Sequence, residues 1–191
     1  SLNNLANLLI NMQKYDRALL LFEECIAKRR RVLGDDNPDT LVSLNNLATL
    51  FYKKGEYDRA LPLFEECLAK RKRVLGPNNS ATLDSLNNLA ALFYNKGEYD
   101  RALPMFEECL AKRKRVLGDD NPDTLISLNN LALLLDSKGE YDRALPLYEE
   151  CLAKRKRVLG DDHPSTLISL NNLAALLYCK GEYDRALPLY E

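Results

Sequence analysis

Five cysteines, a single histidine and repeated Glu-Glu pairs are the side chains of this chain most apt for nucleophilic, metal-binding or acid–base chemistry. Their spacing argues against all three. Cys25, Cys67, Cys109 and Cys151 recur at one interval of 42 residues, and Cys179 stands apart. Stacked helical layers lie about 10 Å apart, whereas a disulfide needs Cα atoms within about 7 Å. The four in register therefore read as small buried hydrophobes, and Cys179 as the more exposed thiol. Unpaired thiols fit a reducing compartment, so a cytoplasmic location is expected. His163 precedes Pro164 at a place that Asn37 and Asn121 hold elsewhere, which reads as a helix N-cap. Glu65-Glu66, Glu107-Glu108 and Glu149-Glu150 are neighbours on a helix, so their side chains diverge by about 100°. They form a solvated, ion-paired face rather than an acid–base pair. No Cys-x-x-Cys, His-Glu-x-x-His or Gly-x-x-x-x-Gly-Lys-Ser/Thr pattern is present. No catalytic residue, metal or cofactor is expected, and the chain is not read as an enzyme.

The elements that position these residues follow from a repeat. Ser-Leu-Asn-Asn-Leu-Ala begins at Ser1, Ser43, Ser85, Ser127 and Ser169. Only eight of 42 positions differ between Ser43–Asp84 and Ser85–Ile126. Such similarity points to a stacked array of one supersecondary unit. In the unit Asp36–Gly76, Asn37-Pro38 reads as N-cap and first helical residue. Leu41, Leu44, Leu47, Ala48 and Phe51 form one apolar face of a first helix, A. Gly55 ends it. Asp58 is expected to cap a second helix, B, with Ala60, Leu61, Phe64, Cys67, Leu68, Val74 and Leu75 as its apolar stripe. Gly76 closes it. The A helices are predicted near 2–12, 38–54, 80–96, 122–138 and 164–180. The B helices are predicted near 16–33, 58–75, 100–117 and 142–159, with a stump from 184. Gln13 occupies the A–B turn held elsewhere by Gly55, Gly97, Gly139 and Gly181.

Leu47-Ala48, Phe51, Gly55, Tyr57, Ala60, Phe64 and Cys67 resemble the tetratricopeptide (TPR) signature. The usual repeat of that family has 34 residues; here Lys70–Leu75 carry helix B on by about two turns. This longer form is similar to the repeats of kinesin light chains and of TPR arrays attached to signalling NTPases. Leu159-Gly160-Asp161-Asp162-His163-Pro164 and Leu170-Asn171-Asn172-Leu173-Ala174 look especially like the former. The resemblance implies an all-α, right-handed superhelical solenoid of helix-turn-helix repeats with a 42-residue period. One array is expected over 1–191, with repeats at about 1–34, 35–76, 77–118, 119–160 and a truncated 161–191. The chain starts and stops inside a repeat and lacks an initiator Met, which reads as a segment of a longer array.

The best binding candidates are the asparagine pairs. Asn3-Asn4, Asn45-Asn46, Asn87-Asn88, Asn129-Asn130 and Asn171-Asn172 sit mid-helix, where Asn is a mediocre helix former. In the family resembled, helix A lines a concave groove, and Asn at matching places holds an extended peptide backbone by donating and accepting at once. By that resemblance Asn3, Asn45, Asn87, Asn129 and Asn171 face the groove. The alternative is that one Asn of each pair bonds to a neighbouring repeat or a loop. The positions that vary between repeats lie close by on helix A. Selectivity for a peptide or protein segment is accordingly placed on Thr49, Tyr52, Lys53, Asp84, Tyr94, Leu133, Asp136 and Tyr178, with drift after duplication as the competing explanation.

Charge removes other partners. Twenty-seven basic and 28 acidic side chains leave a formal net charge of −1, which offers no general pull toward nucleic acid or anionic membrane. The runs Arg29–Arg31, Lys70–Arg73, Lys112–Arg115 and Lys154–Arg157 are read as helix-end stabilisation, because cations complement the C-terminal dipole and acidic residues follow closely. No apolar run nears the roughly 20 residues that span a bilayer. Leu2, Leu5 and Leu187–Tyr190 leave apolar surface at the termini, so head-to-tail self-association is the alternative expectation to peptide binding.

Overall fold

The computed structural model describes residues 2–190, together with the backbone but not the side chain of Asn11. Ser1, the first of the predicted repeat starts, lies outside the described residues, as does Glu191. Two compact units divide the chain, the first ending at Lys96 and the second beginning at Gly97. The first holds α1 (Leu2–Asn11), α2 (Tyr15–Leu33), α3 (Pro38–Lys53), α4 (Tyr57–Leu75) and α5 (Ser80–Asn95). The second holds α6 (Tyr99–Leu117), α7 (Pro122–Ser137), α8 (Tyr141–Leu159), α9 (Pro164–Cys179) and α10 (Tyr183–Ala186), followed by a 3-10 turn at Leu187–Leu189. Odd-numbered helices are the predicted A helices and even-numbered ones the B helices. Within each unit, helices adjacent in sequence pack as antiparallel neighbours, apart from the terminal turn.

The A helices start where a side chain meets the orphan amides. Asn37 Oδ1 accepts from the Asp39 amide at 2.9 Å, and Asn79 and Asn121 do the same for Ala81 and Asp123 at 3.0 and 2.9 Å. They end on a paired-carbonyl turn. The Gly55 amide donates to Tyr52 O at 3.0 Å and the Glu56 amide to Phe51 O at 2.9 Å, with Gly55 at φ 75°. Gln13 makes the same turn at φ 57° and is, among the described residues, the one non-glycine at positive φ. The B helices begin one residue earlier than predicted. Glu56 stands at the N-cap of α4 without a side-chain cap bond, so Asp58 is not the cap. Asp58 lies in the first turn instead, where a carboxylate suits the helix dipole, and it pairs with Lys96, the residue that follows α5, at 3.0 Å.

The A helices α3, α5, α7 and α9 are buried on more than their predicted face. Leu50 is as fully buried as Leu41, because α3 packs against both α2 before it and α4 after it. Ala48 and Ala60 are fully buried too, and their small size lets helices approach closely. Cys67 joins Leu41, Leu44 and Leu63 in one cluster. Each such leucine contributes about 1.5–3 kcal/mol through burial, and the stacked neighbours supply the second wall that a lone hairpin lacks.

Candidate peptide-binding face

The exposed stripe of the A helices starts from their order in each unit. In the first unit α1 approaches α3 and α3 approaches α5, while α2 and α4 make no comparable approach among the described residues. In the second unit α7 approaches α9 in the same way. Within each unit the A helices are therefore the more closely spaced row. On α3 the side chains left at its surface include Val42, Asn45, Asn46, Thr49, Tyr52 and Lys53, a three- and four-residue spacing that marks one helix face.

A carboxamide ladder runs between neighbouring A helices. Asn46 Nδ2 donates to Asn3 Oδ1 at 3.3 Å, Asn88 Nδ2 to Asn45 Oδ1 at 3.4 Å, and Asn172 Nδ2 to Asn129 Oδ1 at 3.1 Å. Asn46, Asn88 and Asn172 are thus inter-repeat donors, and the oxygens of Asn3, Asn45 and Asn129 in the preceding repeats are their acceptors. Asn3 and Asn129 are 6% and 7% exposed, Asn45 and Asn87 are half-buried, and Asn171 is exposed. These bonds stabilise the mid-helix Asn residues and leave the Nδ2 donors of Asn45 and Asn129 without a protein partner among the described residues.

The first unit brings Thr49, Tyr52 and Lys53 together. With Phe64, Asn88 and Ala91 they line a cavity of about 80 Å³. Thr49 Oγ1 donates to Asn45 O at 2.9 Å, which fixes its rotamer. The Tyr52 ring lies 5.8 Å from Tyr57 and 6.5 Å from Phe64. Asn95 Nδ2 donates to its hydroxyl, and burial pushes that hydroxyl's pKa up. Asp84 and Tyr94 are half-buried on α5 and do not line this cavity. In the second unit Leu133 and Asp136 stand one turn apart on α7, both half-buried. Tyr148 of α8 donates its hydroxyl to Asp136 Oδ2 at 3.3 Å, and burial raises the Asp136 carboxyl. Tyr178 is exposed on α9, its ring 5.3 Å from Tyr183.

The residues with catalytic potential do other work. His163 Nδ1 accepts from the Ser165 amide at 3.1 Å, so the imidazole caps α9 with its proton on the other nitrogen. Cys25, Cys67, Cys109 and Cys151 are buried free thiols and Cys179 is exposed. Burial pushes the Cys67 and Cys151 thiols up, away from the reactive thiolate. Among the described residues no group of three or more His, Cys, Asp or Glu side chains is arranged to hold a metal. No described helix is long and apolar enough to cross a membrane.

One set of residues escaped the sequence reading. Arg71, Arg113 and Arg155 belong to the runs interpreted as solvated helix ends, yet they are buried. Arg71 donates to Ala81 O at 2.7 Å and to Ser85 Oγ at 2.9 Å. Arg113 and Arg155 repeat both contacts, at 2.9 and 2.9 Å and at 2.8 and 2.8 Å. Arg29 makes them at 2.5 and 2.8 Å from a half-buried place. The same serines lie 3.4–3.6 Å from the buried thiols. Each arginine follows its cysteine by four residues, which puts both on one helix face; that spacing was the available signal. The other cations of the runs are paired outward, for example Lys70 with Glu66 and Arg73 with Asp36, both at 2.5 Å.

The tetratricopeptide repeat profile matches residues 1–73, 47–114, 81–157 and 137–191, so its matches run the length of the chain. No curated protein matches the chain. Among solved structures, BtubC (BKLC) from P. vanneervenii is similar at 25% identity over 98% of this chain and 75% of its own, with a TM-score of 0.86. The nearly identical TPR-like repeats of a Podosopora anserina protein assigned to kinesin light chains are similar at 25% identity over 99% of this chain and 90% of that one, with a TM-score of 0.83. The Rap conjugation gene regulator of the plasmid pLS20 shares the fold at 16% identity, over 97% of this chain and 49% of its own, with a TM-score of 0.78.

Proposed function

We propose that this chain, which belongs to the tetratricopeptide repeat family, is a non-catalytic scaffold that binds an extended peptide or protein segment along its A helices. The observation that carries the reading is the carboxamide ladder. It occupies the carboxamide oxygens of Asn3, Asn45 and Asn129 and leaves the Nδ2 donors of Asn45 and Asn129 without a protein partner among the described residues. Such donors suit the carbonyls of an extended backbone. Thr49, Tyr52 and Lys53 then offer a small cavity for one side chain of the segment, and Asn3, Asn87, Asn171, Asp84, Tyr94, Leu133, Asp136 and Tyr178 complete the proposed contact set. The related Rap regulator is in complex with the Phr* peptide, which supports use of this fold for peptides. Free thiols support a cytoplasmic setting. The test is selection of a peptide library on the purified chain, then calorimetric titration of the selected peptide into Asn45→Ala and Asn129→Ala. Weaker binding at a temperature where both variants stay folded is expected, beside a lower melting temperature from the lost inter-repeat acceptor. Undiminished affinity in both variants would remove the asparagines from the site.

A second reading, head-to-tail association of copies, is favoured by two exposed apolar surfaces. Leu5 and Leu8 of α1 are 47% and 55% exposed, whereas their counterparts Leu47 and Leu50 are 8% and 0%. Tyr178, Tyr183, Leu187 and Tyr190 line an apolar hollow of about 370 Å³. Sedimentation of the chain beside Leu5→Glu tests this reading. It requires concentration-dependent assembly that the substitution abolishes, and a monomer throughout would exclude it.

A further inference from the structure

We infer that the A-helix surface of the second unit recognises a long cationic side chain, lysine or arginine, with Asp136 binding its charged end and Leu133 covering its aliphatic stem. This inference rests on the peptide-binding reading above and adds to it the chemistry of one subsite.

Three observations carry it. Position 136 is Tyr in the neighbouring registers, as Tyr52, Tyr94 and Tyr178, and Asp here. The exchange replaces a bulky ring by a short acceptor on the surface of α7. One turn earlier, Leu133 stands where Thr49 and Ala91 stand in other repeats. An aliphatic surface one turn from a carboxylate matches a side chain with an apolar stem and a charged head.

The carboxylate is also held in place, with no cationic partner among the described residues. Tyr148 donates to Oδ2 at 3.3 Å, where Phe64 and Phe106 in other repeats have no hydroxyl to give. Among the described residues no Lys, Arg or His forms an ion pair with Asp136. Lys138, two residues on, is committed to Asp100 at 3.1 Å and Glu140 at 3.4 Å. Burial disfavours the ionised carboxyl, so an arriving cation would relieve a cost already present in the free chain. Tyr148 is a positioning residue: its hydroxyl orients the carboxylate and leaves the second oxygen for the ligand.

The experiment pans one random peptide library on wild-type chain and on Asp136→Asn. The variant keeps an acceptor for Tyr148, so the fold is retained, and a cooperative melting curve no lower than that of the wild type checks this. The expected result is a Lys or Arg position enriched on the wild type and lost on the variant. The best wild-type peptide is then titrated with its cationic residue intact or replaced by norleucine. Asp136→Asn should weaken the cationic peptide about tenfold and leave the norleucine peptide unchanged, and Tyr148→Phe should weaken the cationic peptide less. Equal enrichment of the same motif on both baits overturns the role of Asp136 while sparing the groove. A motif without Lys or Arg overturns the cationic specificity. Absence of any enriched motif on the wild type overturns the groove reading itself, and this inference with it.

Discussion

Arg71 of α4 donates to the hydroxyl of Ser85 on α5 at 2.9 Å, and both side chains are buried at the junction of two repeats. The bond turns a cation from a basic run into an inter-repeat clamp. Its guanidinium also reaches Ala81 O at 2.7 Å, near the start of the next A helix. Two fixed donors in one plane suit this task better than a single ammonium would.

Removing one end of the clamp leaves the other buried without its partner. Ser85→Ala should cost about 1–3 kcal/mol. Arg71→Ala should cost more, because it also removes the contact to Ala81 and the packing of the stem. Arg71→Lys should not restore stability. Urea denaturation of the two single variants and the double variant checks this, since a shared bond requires the combined loss to be smaller than the sum. Additive losses would show that the two side chains act separately.

Gln13 adopts φ 57° where the other A–B turns carry glycine. A side chain with a Cβ in that region is disfavoured by about 1–2 kcal/mol, partly offset by the greater freedom glycine has when unfolded. Gln13→Gly should therefore stabilise the first hairpin by roughly 0.5–1 kcal/mol. Hydrogen exchange of amides in α1 and α2 reports on that hairpin directly, and faster exchange in the variant would contradict the expectation.

Thiol accessibility separates the cysteines. Cys179 should react with an aromatic disulfide reagent within the mixing time, while the four buried thiols wait for opening of the fold. Cys67→Ala should be tolerated, because little volume is lost. Cys67→Asp should melt the helices around it, since it places a charge against Leu41 and Leu44. Simultaneous labelling of five thiols in the native chain would refute the burial argument.

Asp136 carries a pH signature. Burial raises its carboxyl above the ordinary value, only partly opposed by the Tyr148 hydrogen bond. The folded chain thus holds the proton more tightly than the unfolded chain. Stability falls as pH rises from the ordinary carboxylate range through the raised folded-state value, and the cost is complete above it. Asp136→Asn lacks this ionisation. Relative to wild type, the variant should melt higher at neutral pH, with the advantage shrinking as pH is lowered through that window. A difference independent of pH would mean that the aspartate's charge is not what costs stability.

Much of the fold was legible because its determinants are local and repeated. Asn37, Asn121 and His163 are caps, since a side-chain acceptor before Pro meets an orphan amide whatever lies further away. Gly55 and its counterparts end the A helices for a backbone reason alone. The burial of Cys67 followed from helical periodicity. The start of α4 was misread by one residue, because Asp58 resembles a cap in sequence, but the backbone enters the helix at Tyr57 and frees that carboxylate for Lys96.

The candidate site was less legible. Sequence picked out the Asn pairs as an anomaly in mid-helix, but whether a carboxamide faces a neighbour or a ligand depends on which helix lies beside it. Packing decides that Asn88 reaches Asn45 and leaves the latter's donors over.

Local chemistry thus determined the repeat unit, its two helices, its caps and its turns, all set within a few residues of chain. Tertiary packing alone decided that Leu50 is buried on a second face, that Arg71 leaves the solvated run to clamp Ser85, and that Tyr148 orients Asp136. Each of these joins residues from different helices. The free energy of burying a guanidinium or a carboxyl depends on the wall the neighbouring helix provides, and that wall exists only once the hairpins are stacked.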